Sequence, residues 1–258
     1  MLATRIARLV LVLLASLTAA GAGAKERLQV SPWIDAGIAA GTVALWLGGA
    51  SLAEEPELLT RPARNPPGGI DDWAPRYVRD GWLTPSDAIV WGTIAAGGVV
   101  TAVDGWRDEN LVAHLVIFAE AMLINQMVTD VTKQLTLRAR PFTYSEPGGG
   151  TFDVHSFFSG HTSNTATAAF AAARILDLSG DLDPWERVAL YGTATALTGA
   201  VASARVAAGM HFPTDVLVGG LVGTAIGLGV PELHRPGGWI FGGGATDGGG
   251  HVTVARAF

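Results

Sequence analysis

Three short stretches of this sequence concentrate basic and imidazole groups in an otherwise acidic chain. The first is Lys133-Gln134-Leu135-Thr136-Leu137-Arg138-Ala139-Arg140-Pro141. On a helix, the spacing of Lys133 and Arg140 puts them on one face two turns apart, and Pro141 ends that helix. Two fixed cations suit a dianion such as phosphate, with Arg supplying a planar fork. The same pair also suits an ordinary helix C-terminus, where cations complement the dipole and the last carbonyls. The second stretch is Ser156-Phe157-Phe158-Ser159-Gly160-His161-Thr162. Ser159 reads as an N-cap, and the N–H groups that Gly160 leaves open form an anion site with His161 beside it to move a proton. A plain Ser cap beside a surface His is the other reading. The third runs Ala204-Arg205-Val206-Ala207-Ala208-Gly209-Met210-His211-Phe212-Pro213-Thr214-Asp215. Arg205 adds a third cation. His211 and Asp215 are four apart across a helix start, so the carboxylate either fixes the tautomer of a nucleophilic imidazole or simply caps the helix.

These residues need rigid elements to bring them together. Six apolar stretches read as helices, near 33–53, 88–103, 111–130, 161–177, 187–208 and 214–230. Gly209 closes the fifth and Pro213 opens the sixth. A Pro-rich connection at 54–86 holds a short amphipathic piece around Trp73–Tyr77, and 141–158 is a second loop. The tail alternates at period two from His251 to Phe258 after a Gly-rich turn, which reads as a β-hairpin. The domain reading is therefore a signal peptide at 1–24, an N-terminal helix and connection at 25–84, a helical core at 85–235, and a Gly-rich hairpin tail at 236–258.

Composition narrows the function classes. The chain has 258 residues, 49% hydrophobic and 16% charged, enough for a real core and unlike a disordered chain. With no Cys, disulfides, thiolate zinc sites and thiol nucleophiles are excluded. A net charge of −6 argues against nucleic acid, whose phosphates need a basic face. Glycine, with 34 residues, stands at nearly twice its usual share of about 7%, as close helix packing requires. Arg5 and Arg8, the apolar run Leu9–Leu17 and Ala22-Gly23-Ala24 read as an export signal. Without Arg5 and Arg8 the remaining chain holds 15 basic and 23 acidic residues. If all six stretches spanned, the loop after the third would face the cytoplasm, which fits an exported enzyme poorly. We therefore expect that not all six span. Trp33, Trp82, Trp91, Trp106 and Trp185 lie near stretch ends, as in an interfacial belt or a bundle rim. His114 and Glu120 read as a buried pair, His155 as a loop residue, and His234 and His251 as lying outside the core.

Taken together and in order, K-x6-R-P, S-G-H and R-x5-H-x3-D resemble the signature of the type-2 phosphatidic-acid phosphatase and vanadium haloperoxidase superfamily, over roughly residues 85–230. The resemblance implies an all-α six-helix bundle of the acid phosphatase/haloperoxidase type, here with a short C-terminal β-hairpin. It implies that Lys133, Arg140, Ser159, Gly160 and Arg205 hold phosphate, that His211 is the nucleophile, that Asp215 orients it, and that His161 serves the leaving group and then water. No metal or cofactor is required. The implied activity is hydrolysis of a lipid phosphate or diphosphate (phosphatidic acid, phosphatidylglycerol phosphate or a polyprenyl diphosphate) through a phosphohistidine, on the periplasmic side of a bacterial-type envelope, at a membrane. Phe158 stands where the family has Pro, and Ala204 where it has Ser. These departures keep a non-catalytic lipid-binding protein as the alternative, with a haloperoxidase a more distant one.

Overall fold

The computed structural model describes residues 27–52, 67–145, 151–237, 239–246 and 249–256. The fold is all-α. Its long helices are α1 (Pro32–Leu52), α2 (Leu83–Arg107), α3 (Leu111–Thr136), α4 (Gly160–Ser179), α5 (Pro184–Ala207) and α6 (Pro213–Leu233). The six expected stretches are all present. The expected signal at 1–24 lies outside the described residues, and the expected tail hairpin is not part of what defines the all-α class.

Local chemistry sets the helix ends. Asp183 and Glu186 make a reciprocal capping box at the start of α5, with hydrogen bonds of 2.8 and 2.9 Å, and Pro184 follows at the first helical position. At the start of α6, Pro213 again takes the first position, and the Phe212 N–H donates to Asp215 Oδ2 at 2.9 Å. The end of α3 differs from the expectation. It stops at Leu137, whose left-handed backbone (φ 42°) closes an N–H bond to the Lys133 carbonyl at 3.0 Å. Arg140 is then extended, ahead of a 3-10 turn at Pro141–Tyr144. Lys133 and Arg140 therefore do not share a helix face. A turned chain, not helical periodicity, brings Arg140 to the site.

Helix α4 is the central element, packed against α2, α3, α5 and α6. It is rich in Ala, Thr and Ser, and 14 of its 20 residues are buried, with none fully exposed. Its hydroxyls are satisfied locally: Thr165 donates to the His161 carbonyl at 2.8 Å, and Thr167 to the Gly223 carbonyl of α6 at 3.1 Å. The apolar core proper is formed by Ile117, Phe118 and Ala121 of α3 against Ala168, Ala171, Ala172 and Ile175 of α4. Contact with α6 is closer than any side chain allows. A Cβ added at Gly219, Gly223 or Gly227 would lie 2.6, 2.3 or 2.8 Å from the carbonyl oxygens of Ser159, Ser163 and Thr167. These three glycines, one per turn of α6, allow a helix approach with no room for even one methyl group.

Three stretches, Asp80–Arg107, Leu111–Tyr144 and Pro213–Leu233, are long and apolar enough to cross a membrane. Apolar residues also face outward: Trp91, Val99, Val103 and Trp106 on α2, Val188 on α5, and Leu217 and Leu221 on α6 are all exposed. Consecutive helices alternate in direction, so the C-terminal ends of α3 and α5 and the N-terminal ends of α2, α4 and α6 meet at one end of the bundle.

Candidate active site

That shared end carries the residues of the three motif blocks. Lys133 comes from the last turn of α3 and Arg140 from the turn beyond it. Ser159, Gly160 and His161 open α4, Arg205 lies in the last turn of α5, and His211 and Asp215 flank the start of α6. The first turn of α4 is built for close approach. Ser159 accepts from the Thr162 N–H at 3.4 Å and from its hydroxyl at 3.0 Å. A Cβ on Gly160 would lie 3.1 Å from Lys133 Nζ, so glycine lets the ammonium reach this helix start. Phe158, which stands where the family pattern has Pro, is buried and lies near the Gly219 backbone. It fills core space beneath the site.

His211 is buried, and its two ring nitrogens have different partners. Nδ1 lies 2.8 Å from the Ser156 carbonyl, which can only accept, so Nδ1 carries the proton. Nε2 keeps its lone pair and lies 3.4 Å from Arg140 Nη1. Burial, with help from the Arg140 and Arg205 charges and against the pull of Asp215, pushes the imidazole down to about 3. His211 is therefore neutral at physiological pH, as a nucleophile must be. Asp215 lies beside Nδ1 at 3.7 Å, beyond hydrogen-bond range. Its oxygens accept from the Ser156 hydroxyl at 2.6 Å, from the Phe212 N–H and from Arg138. The carboxylate thus fixes the segment whose carbonyl holds the imidazole, as well as standing beside the ring itself.

Two residues of the site, Asp71 and Asp87, carried no signal in the sequence, and Arg138, whose sequence position suits substrate and solvent equally, turns out to be structural. Arg138 joins Asp215 to Asp71 (2.7 Å) and to the Thr214 hydroxyl (2.7 Å), and Asp71 also accepts from the Thr214 N–H at 3.0 Å. Asp71 is buried in a 3-10 turn at Gly69–Trp73, so the connection before α2 ties directly into the start of α6. Gly209 allows this packing: with φ +73°, it places its α-carbon where a Cβ would lie 2.3 Å from the Tyr77 carbonyl. The other residue, Asp87, lies in the first turns of α2. Its Oδ1 lies 2.9 Å from His161 Nε2 and 3.2 Å from Arg205 Nη1. Burial and the Arg205 charge push His161 down to about 4, with Asp87 pulling the other way. Arg205 is also held by the Ser86 hydroxyl at 3.2 Å, while its Nε is buried without a hydrogen-bond partner among the described residues. His155 sits at the site rather than apart from it. Its carbonyl accepts from Arg140 at 3.5 Å, and burial plus the Lys133 and Arg140 charges hold its imidazole below the usual range.

Two other expectations are corrected. His114 and Glu120 are not partners: His114 lies 3.3 Å from Asp104, and Glu120 lies 3.1 Å from His234. His234 is buried at the end of α6, not outside the core.

Among curated proteins no relative matches the sequence. Among solved structures, the chain is similar to the first transmembrane PAP2-type phosphatidylglycerolphosphate phosphatase from Bacillus subtilis. The two are 18% identical, with 88% of this chain and 92% of that chain covered and a TM-score of 0.49. Residues 114–238 match the family model of the PAP2 superfamily. That span holds all three motif blocks, three of the six helices and most of α3.

Proposed function

We propose that this protein is a metal-independent phosphatase of lipid phosphates or diphosphates that works through a phosphohistidine. The observation that carries the reading is the neutral, buried His211, its Nε2 lone pair facing a cluster of three cations at the open start of α4. Lys133, Arg140 and Arg205, with Ser159 and the Gly160 N–H, would hold the phosphoryl oxygens and balance the charge that develops as the bond to the leaving oxygen breaks. The unpartnered Arg205 Nε is a donor that such an oxygen would satisfy. His211 Nε2 attacks phosphorus in line, and the bond from phosphorus to the leaving oxygen breaks. His161 gives that oxygen a proton. His161 then takes a proton from water, which attacks the phosphohistidine, frees phosphate and returns His211 to its starting form. Arrival of a phosphate dianion beside His161 favours its charged form and so prepares it to act as an acid.

A lipid substrate is supported by position. The site lies at the end of helices with outward apolar faces, three of them long enough to span. Phosphatidic acid, phosphatidylglycerol phosphate and polyprenyl diphosphates share the needed chemistry: a phosphate on an apolar tail. Residues 1–24 are read as an export signal that places the site on the periplasmic side. The core is taken as 85–235 and the tail as a hairpin, supported by an antiparallel register that sets Trp239 opposite Arg256 and Thr246 opposite Gly249.

The test is phosphate release from phosphatidic acid in detergent with EDTA present, comparing wild type with His211→Ala. Release by wild type that vanishes in the variant supports the reading. Absence of release from phosphatidic acid, a polyprenyl diphosphate and a soluble ester alike would replace it with a lipid-binding protein whose site is degenerate.

A further inference from the structure

We propose that Asp35, Glu120 and His234 form a structural site for one divalent cation of the zinc class, at the end of the bundle opposite the phosphate site. The three residues come from separate helices. Asp35 is in the first turn of α1, Glu120 is midway along α3, and His234 caps the end of α6. One ligand atom from each lies within 4.8 Å of the others. His234 Nε2 is 3.2 Å from Asp35 Oδ1 and 3.1 Å from Glu120 Oε2. Ligand atoms held tetrahedrally at about 2.0–2.1 Å from zinc lie about 3.3 Å apart, so these distances need little adjustment.

The orientation of the imidazole suits a metal. His234 Nδ1 lies 2.8 Å from the Val230 carbonyl, which fixes the proton on that nitrogen. Nε2 then points between two carboxylates, and an ion bound there would displace the proton that Nε2 shares with them. Relative exposure is 9% at Asp35, 6% at Glu120 and 7% at His234. Both Glu120 oxygens and Asp35 Oδ2 are buried with no hydrogen-bond partner among the described residues. No Lys or Arg ion pair to either carboxylate is present among those residues. Arg174 and Arg235 pair with Glu232 instead. Two buried carboxylates without a counter-cation carry a heavy desolvation cost. A proton on His234 would balance one of them, whereas a divalent ion balances both and also satisfies the orphan oxygens. An imidazole with two carboxylates suits zinc, manganese or ferrous iron better than calcium or magnesium, which prefer oxygen alone.

The ion would staple α1 to the core. The Gln29 N–H already donates to the His234 carbonyl at 2.9 Å, so the chain entering α1 and the chain leaving α6 are tied at the same place. Along α6 the site lies about 28 Å from Asp215 at 1.5 Å per residue, too far to take part in phosphate chemistry. The inference therefore stands apart from the proposed activity.

The test is direct. The full-length chain in detergent is stripped with a chelator, dialysed with zinc and then without it, and assayed for bound zinc by elemental analysis and for melting temperature. We expect one zinc retained per chain and a melting temperature that rises with zinc concentration. Glu120→Gln and Asp35→Asn should each weaken zinc binding at least tenfold. His114→Gln, in the more exposed Asp104–Asp108–His114 group, should not. If wild type retains no zinc, or if Asp35→Asn and Glu120→Gln bind it as tightly as wild type, the proposal is overturned. Should Glu120→Gln fail to fold, the wild-type stoichiometry and Asp35→Asn decide the matter.

Discussion

Helix α6 carries a buried histidine with a carboxylate at each of its ends, and the two are built in opposite ways. At the start, His211 and Asp215 sit among Arg138, Arg140 and Arg205, and the Asp215 oxygens accept from the Ser156 hydroxyl, the Phe212 N–H and Arg138. At the end, His234 faces Asp35 and Glu120, whose oxygens are largely unpartnered. The residue types are nearly the same. What differs is the sign of the surrounding charge and whether the carboxylate is already satisfied. Burial and cations hold the His211 imidazole well below its usual range, as the proposed nucleophile requires, while two carboxylates facing one imidazole give the His234 site the character of a cation site. The histidine–carboxylate pair alone therefore says little about function. Its neighbours decide whether it attacks a substrate or holds an ion.

If that contrast is right, substitutions at the two ends should show up in different measurements. Arg205→Ala removes a buried cation from the phosphate end. Its expected cost is about 10²–10³-fold in kcat/KM, the usual scale for one donor to a developing oxyanion. Its melting temperature should hold or rise, because a cation crowded by Lys133 and Arg140 is lost. Loss of a charge-balancing group at the other end should show first as lost stability. A large fall in melting temperature for Arg205→Ala, with turnover kept, would invert the assignment of the two ends.

Asp87→Asn sharpens the picture within the phosphate end. Asp87 bridges His161 and Arg205, and its charge favours the protonated imidazole. Without that charge His161 holds its proton less well. We expect about a tenfold loss in kcat, part of the 10²–10⁴ that a general acid typically supplies. The fall of kcat/KM on the alkaline side should also move to lower pH. A loss of rate with an unmoved pH profile would mean that Asp87 only positions Arg205.

The same contrast explains what the sequence made legible. The six helices were readable because apolar runs, Pro at helix starts and Gly at helix ends are local signals. The three blocks were readable because each motif is contiguous. Arg140 reached its place by a different route from the one expected: Leu137 adopts a left-handed turn that no local pattern announced. Asp71 and Asp87 were invisible because their partners, Arg138, Thr214, His161 and Arg205, are far away in sequence and no spacing rule links them. His234 was set aside for the same reason. Its partners come from α1 and α3, and only the packing of three helices puts them within reach.

The smallest effect expected is on stability against pH, and it follows from the burial of His211. In the unfolded chain this imidazole takes up a proton near 6.5, whereas in the folded protein it does so only near 3. Between those values the unfolded state binds more protons than the native state. The native state therefore loses stability as pH falls through that window and keeps its full share above it. His211→Gln removes the titration while leaving an amide of similar size. We expect wild type to melt at progressively lower temperature from pH 6.5 down toward pH 4, and the variant to show a shallower slope by a few degrees over the same range. The two curves should converge at the acid end, where the wild-type penalty has grown to offset what the imidazole contributes at neutral pH. Parallel curves would mean that burial does not hold the His211 imidazole below its unfolded range.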